Sequence, residues 1–174
     1  MTKEYFQWIH RVASDYKTYL AQRFQGEVFG QAMFRTMADL CDDPARARKF
    51  RLLEQLERET KEFLVPAMRE AGSSCAESPE RINEGETLGA ALASVPWAEL
   101  MQGFQKEFRQ FADEFETAEA FAPAGKESVL RHVTTHERAL LDFATRELEG
   151  SRVGDSLQSV VALLRTADHD GEMR

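Results

Sequence analysis

The sequence predicts an all-α fold, an antiparallel four-helix bundle with a short fifth helix at the C-terminus. Three observations carry that expectation: apolar residues recur at steps of three and four, helix-start and helix-stop signals are regularly spaced, and β-branched alternation is nearly absent. The clearest row is Met101, Phe104, Phe108, Phe111, Phe115 and Ala118, whose steps of 3, 4, 3, 4 and 3 are those of a bundle seam.

The elements follow in order. Segment A, Lys3 to Cys41, has the seam Ile9, Ala13, Tyr16, Leu20, Phe24, Glu27, Gln31, Phe34, Ala38 and Cys41. Asp42-Asp43-Pro44 then supplies a cap and a first-turn proline that needs no donor, and starts segment B. Segment B, Pro44 to Ala71, has the seam Leu53, Leu56, Thr60, Leu64 and Ala67, and stops at Gly72, placed for a left-handed cap. Residues 73–93 read as a crossover linker, with a short helix over Glu86–Ala93. Ser94-Val95-Pro96 opens segment C, which runs from Pro96 to Ala120. Pro123-Ala124-Gly125 breaks the chain before segment D, Lys126 to Glu149, with the seam Leu130, Val133, Leu140, Ala144 and Leu148. After the break at residues 150–155, a helix over Ser156–Thr166 presents Leu157, Val160, Val161 and Leu164 on one face. The last eight residues are polar and expected to fray. Short links make A–B and C–D antiparallel pairs, and the longer B–C link carries a crossover. Residues 1–174 form one domain, with the bundle over about 3–150.

Composition narrows the function. The 174 residues carry 22 Lys+Arg against 30 Asp+Glu, a net charge of −8, so a basic nucleic-acid-binding face and an anionic-membrane surface are both disfavoured. No run approaches the roughly 20 apolar residues of a membrane span. Residues 1–8 show no continuous apolar stretch of a signal peptide, and Cys41 and Cys75 make neither a disulfide framework nor a Cys-x-x-Cys motif. The cytoplasm is the expected compartment. Cys41 lies on an apolar stripe and is expected in the core, and Cys75 lies in a polar loop. No nucleophile elbow, phosphate loop or dinucleotide fingerprint is present.

The informative residues are polar ones that interrupt the seams. Glu27 stands three residues after Phe24 and seven before Phe34, with Gly26 and Gly30 beside it. Glycine within a helix costs about 1 kcal/mol relative to alanine, so the pair calls for close helix approach or room for a ligand. Glu57 sits four after Leu53 and seven before Leu64. Glu27 lies 16 residues before residue 43 and Glu57 lies 14 after it, so an antiparallel pair holds both carboxyls at nearly one height. Counting from a turn near residue 123 places His136 level with residue 110. Glu107 is the nearest inward-leaning carboxylate there and Glu114 the second choice. His136 and Glu137 follow Val133 by three and four, so one or both face inward.

Such a layer of carboxylates and imidazole suits Fe, Mn or Zn. It also has structural readings. Glu27 could pair with Arg131 or Arg58, Glu57 could lie at a solvated seam edge, and His136 could be a hydrogen-bonded core histidine. The His132/His136 pair has metal-binding i, i+4 spacing but no glutamate on the same face. His10 and His169, near the termini, read as surface residues.

Three stretches carry a resemblance to a known family: residues 26–34 (Gly-Glu-Val-Phe-Gly-Gln-Ala-Met-Phe), residues 53–60 (Leu-Glu-Gln-Leu-Glu-Arg-Glu-Thr), and residues 132–140 (His-Val-Thr-Thr-His-Glu-Arg-Ala-Leu). In pattern, segments A to D resemble the ferritin-like superfamily, which includes rubrerythrins and other di-iron carboxylate proteins. That family takes one Glu from each of two helices and a Glu-x-x-His from each of the other two. Glu27 matches the first lone Glu. Glu57 to Thr60 matches the first motif with Thr60 in place of His, and Val133 to His136 matches the second with Val133 in place of Glu. Glu107 or Glu114 stands for the second lone Glu.

The resemblance implies an Fe or Mn site built from Glu27, Glu57, His136, a carboxylate at Glu107 or Glu114, and Glu137 in a rearranged arrangement. It also implies oxidoreductase chemistry with dioxygen or peroxide. Because two of six ligands are replaced, a metal-free ferritin-like bundle serving as a binding or assembly module is the alternative. A small apolar-ligand pocket near Gly26 and Gly30 is a third reading. A homodimer is also an expectation, since Tyr5, Trp8, Tyr19 and Phe29 lie off the main seam and the last helix must bury its face, either within the chain or against a partner.

Overall fold

A computed structural model describes residues 15–150 and 155–168. Among them are six helices and no strand: α1 (Tyr16–Leu40), α2 (Pro44–Glu70), α3 (Pro79–Leu92), α4 (Trp97–Glu119), α5 (Glu127–Glu149) and α6 (Gln158–Asp168). None of the described helices is long and apolar enough to cross a membrane. The part of segment A before residue 15, with Tyr5, Trp8, Ile9, His10 and Ala13, lies outside the described residues, as does His169.

The turns form where the sequence places them. Asp43 caps α2 by accepting from the amides of Ala45 (2.9 Å) and Arg46 (3.2 Å). Gly72 adopts φ +65° after α2, and Ser73 N–H closes on Met68 O at 2.8 Å, the left-handed ending that glycine makes cheap.

The linker differs from expectation. Its helix is 14 residues long and begins at Pro79, not Glu86. Ser78 caps it by accepting from Arg81 N–H, and Pro79 fills the first position. This is the polar-cap-then-proline start already seen at Asp43-Pro44, and Gly85 and Gly89 masked it by lowering helix propensity. Both glycines have a packing reason. A Cβ on Gly85 would stand 2.4 Å from Phe29 O, and one on Gly89 would stand 2.6 Å from Met33 O. α3 therefore lies directly on the α1 backbone. It runs in the same direction as α1, because Gln25 meets Ala76 and Ser78 while Arg35 meets Glu86. The chain is thus carried back along its length between α2 and α4.

The long helices share one apolar core. α2 and α5 run in opposite directions, with Lys49–Glu147 at one end and Lys126–Glu70 at the other. α1 and α4 are also opposed: Phe34 meets Phe104 edge-on at 5.9 Å, and Tyr19 meets Phe115 at 6.3 Å. α4 and α5 are linked by Trp97–Glu147 and Gln105–Thr145, again opposed. All six seam residues of segment C are buried.

Three expectations change. Tyr19 and Phe29 are buried within the chain rather than displayed to a partner, because α4 and α3 cover them. α6 buries Val160 and Leu164 against the chain's own core, next to α5 and α2. Cys41 is half-buried at the end of α1 instead of deep in the core.

Candidate metal centre

The seam interruptions meet at one level. Glu27 from α1, Glu57 from α2 and His136 from α5 are all buried, and each offers a ligand atom within 4.8 Å of the others. His136 Nε2 lies 3.5 Å from Glu57 Oε1 and 3.7 Å from Glu27 Oε2. Donors about 2.1 Å from a tetrahedral ion stand about 3.4 Å apart, so these separations match a shared ion. Glu27 Oε2 and His136 Nε2 are buried with no hydrogen-bond partner, as is Glu137 Oε2. Orphaned buried acceptors are costly and call for an unseen partner.

Thr60 supplies what sequence counting missed. It occupies the position where the family pattern has histidine, and its Oγ1 lies 2.7 Å from His136 Nδ1 in a buried hydrogen bond. With Nδ1–H donating to that oxygen, Nε2 keeps its lone pair toward the two carboxyls. Thr60 thus serves to orient the imidazole. Val133, one turn before His136, is fully buried and apolar.

Gly30 explains one of the paired glycines. A Cβ there would stand 2.4 Å from Glu57 Oε2 and 2.6 Å from its carboxyl carbon. The missing side chain is the space in which the Glu57 carboxyl sits.

The site's cation is Arg23, one helical turn before Glu27 and itself buried. Its guanidinium lies 4.1 Å above the Phe115 ring and 5.5 Å from that of Tyr19. Arg58 and Arg131, the partners suggested by sequence, are exposed. The i, i+4 spacing of Arg23 and Glu27 was the available signal. Burial lowers the Arg23 pKa, against the raising influence of Tyr19, Glu137 and Glu27.

α4 contributes no carboxylate to the cluster. Glu107 and Glu114 are half-buried, and Glu114 accepts from Gln110 Nε2 at 3.0 Å. The helix instead turns Phe108, Phe111 and Phe115 inward, because the phenylalanine row takes the face that a second lone Glu would need. Glu137, by contrast, is buried beside the cluster, so both inward candidates on α5 face the core. His132 is outside it, stacked on Phe63 at 3.8 Å, with a pKa lowered to about 4 by burial and then by His136.

The electrostatics are unbalanced. Three carboxyls surround one guanidinium and one imidazole, and burying net charge is expensive. Burial is the largest influence on all three acids. It raises Glu27 and Glu57 well above the usual carboxyl range and brings Glu137 to about 7. His136 and Arg23 pull Glu27 and Glu137 back down, whereas the charge of Glu137 pushes Glu57 up further. The two carboxyls also disfavour each other's charge, so both are pushed toward the protonated form. Protons or a cation must neutralise the layer. Its donor set is sufficient for one ion and falls short of two. A cavity of about 50 Å³ adjoins it, lined by Arg23, Gly26, Glu27, Glu57, Glu137 and the α4 phenylalanines, with room for an ion and a few waters.

The chain matches no family model, and no curated protein or solved structure matches it. The all-α class is defined by the structure itself, and function is argued from the site alone.

Proposed function

We propose that α1, α2, α4 and α5 form an antiparallel four-helix bundle of ferritin-like type that binds a single Fe or Mn ion through Glu27, Glu57 and His136 and serves as an oxidoreductase toward dioxygen or peroxide. One observation carries the reading: three buried donors from three helices converge within 4.8 Å, and two of their atoms lack any hydrogen-bond partner. A carboxylate-rich set with one imidazole favours Fe and Mn over softer-ligand metals. When bound, such an ion supplies a redox-active centre. The chain's own residues do the rest. Thr60 fixes the imidazole, Gly30 gives the Glu57 carboxyl its place, Arg23 offsets excess negative charge, and the phenylalanine wall limits water. Glu137, titrating near neutrality, can hold or release a proton beside the centre.

Metal analysis of protein purified without chelator tests the reading, together with Glu27→Ala. One equivalent of transition metal in the wild type, lost in the variant, supports it. No bound metal after reconstitution with Fe or Mn removes it.

A second reading has its own observation. The Thr60–His136 hydrogen bond partly satisfies the layer without an ion, and protons held by the buried carboxyls can neutralise it. A metal-free bundle serving as a binding or assembly module would show no rise in thermal midpoint with Fe or Mn, whereas a native-state ligand must raise it.

A further inference from the structure

Four glycines lie within α1 and α3, and three have a steric reason to be glycine. A Cβ at Gly30, Gly85 or Gly89 would come within 2.6 Å of a carboxylate oxygen or a main-chain oxygen. Gly26 is different. A Cβ there meets no atom of the described residues within 4 Å, although the residue lines the carboxylate cavity and is half-exposed. Packing does not require it, and its backbone is not in the left-handed region. What its missing side chain leaves is space, at a cavity-lining position that is half-exposed while Arg23, Glu27 and Gly30 on the same helix are buried.

We infer that Gly26 holds open an entrance through which a small uncharged molecule, of the size of dioxygen, reaches the carboxylate layer. Size and surface chemistry set that class. The cavity is about 50 Å³, its far wall is the faces of Phe108, Phe111 and Phe115, and Arg23 lies along the same passage with its guanidinium over Phe115. The apolar α4 face gives a small neutral guest a wall to pass along. The inference deepens the oxidoreductase reading by naming the substrate class and its route, but the cavity it rests on exists without a metal.

The test therefore uses metal-free protein. Dissolved dioxygen under pressure relaxes methyl resonances that it can approach. Met33 lines the cavity, and Met101 is buried in the core away from it. The Met33 methyl is expected to relax at least threefold faster than that of Met101, and Gly26→Leu, which plugs the opening, is expected to cut the Met33 effect at least threefold with Met101 unchanged. Gly26→Ala keeps most of it. Equal relaxation of the two wild-type methyls overturns the inference whether or not the leucine variant folds, and so does a Gly26→Leu protein with undiminished Met33 relaxation. A wild type that takes up no metal sinks the oxidoreductase reading while leaving this result standing. An unrelaxed Met33 sinks the entrance while leaving metal binding standing.

Discussion

Gly26 and Gly30 lie one turn apart on the same helix, and the same substitution has opposite consequences at the two. Alanine at a helix-interior glycine gains about 1 kcal/mol from backbone propensity alone. At Gly26 the new methyl meets no described atom, so Gly26→Ala stabilises the protein by about 1 kcal/mol. At Gly30 the methyl would stand 2.4 Å from Glu57 Oε2, more than 1 Å inside ordinary contact. The buried carboxyl must leave its place over Gly30 and shift toward the adjoining cavity, which disturbs the layer. Overpacking of this kind costs about 1–3 kcal/mol, so the net effect of Gly30→Ala runs from about zero to about 2 kcal/mol destabilising. The double variant Gly30→Ala with Glu57→Ala separates the two contributions. With the carboxyl gone, the Gly30 substitution regains its stabilising sign, giving a coupling of about 1–3 kcal/mol. Urea unfolding of the four proteins, at one pH and with chelator, measures the cycle. If Gly30→Ala stabilises as much as Gly26→Ala, the Glu57 carboxyl does not occupy the groove over Gly30 and the site geometry is wrong.

Three further outcomes follow from the same layer. Glu137 moves from a usual value of 4.5 to about 7 in the fold, so the folded chain binds more protons between those values and stability falls as pH rises through that window, by about 3 kcal/mol. Glu27 and Glu57 act in the same direction, and urea midpoints of metal-free protein at pH 5 and pH 8 check it; stability that rises with pH contradicts it. Thr60→Val keeps the shape but leaves His136 Nδ1 buried without its partner, costing about 1–3 kcal/mol, whereas Thr60→Ser retains most of the stability. Gly85→Ala sets a methyl against the Phe29 carbonyl of α1, which cannot yield as a side chain can, so α3 loosens; limited proteolysis within residues 73–96 should accelerate, and an unchanged rate would show that α3 does not lie so close.

Much of this was legible in the chain. The seam of segment C is a row of buried residues because its steps match the helical repeat, and the Asp43-Pro44 start works by its hydrogen bonds. Glu27 and Glu57 could be placed at one height by counting from their shared turn, since rise per residue is fixed, whereas His136 could be levelled only with residue 110. Side-chain direction within half a turn is not fixed by counting. That is why Glu107 and Glu114 were candidates for a face that Phe108, Phe111 and Phe115 occupy. Thr60 was visible as a polar residue on the seam of segment B, but its bond to His136 depends on how α2 and α5 approach each other. Gly85 and Gly89 looked like helix breakers because the α1 backbone they fit against is distant in sequence.

The central claim is that Glu27, Glu57 and His136 together hold one ion. Cobalt(II) titration of chelator-treated protein, read by its visible absorption and by metal content after gel filtration, tests it most directly. The expected result is saturation at one equivalent per chain, lost in both Glu57→Ala and His136→Ala while helical content is retained. Absence of saturable binding, or binding indifferent to both substitutions, would contradict it.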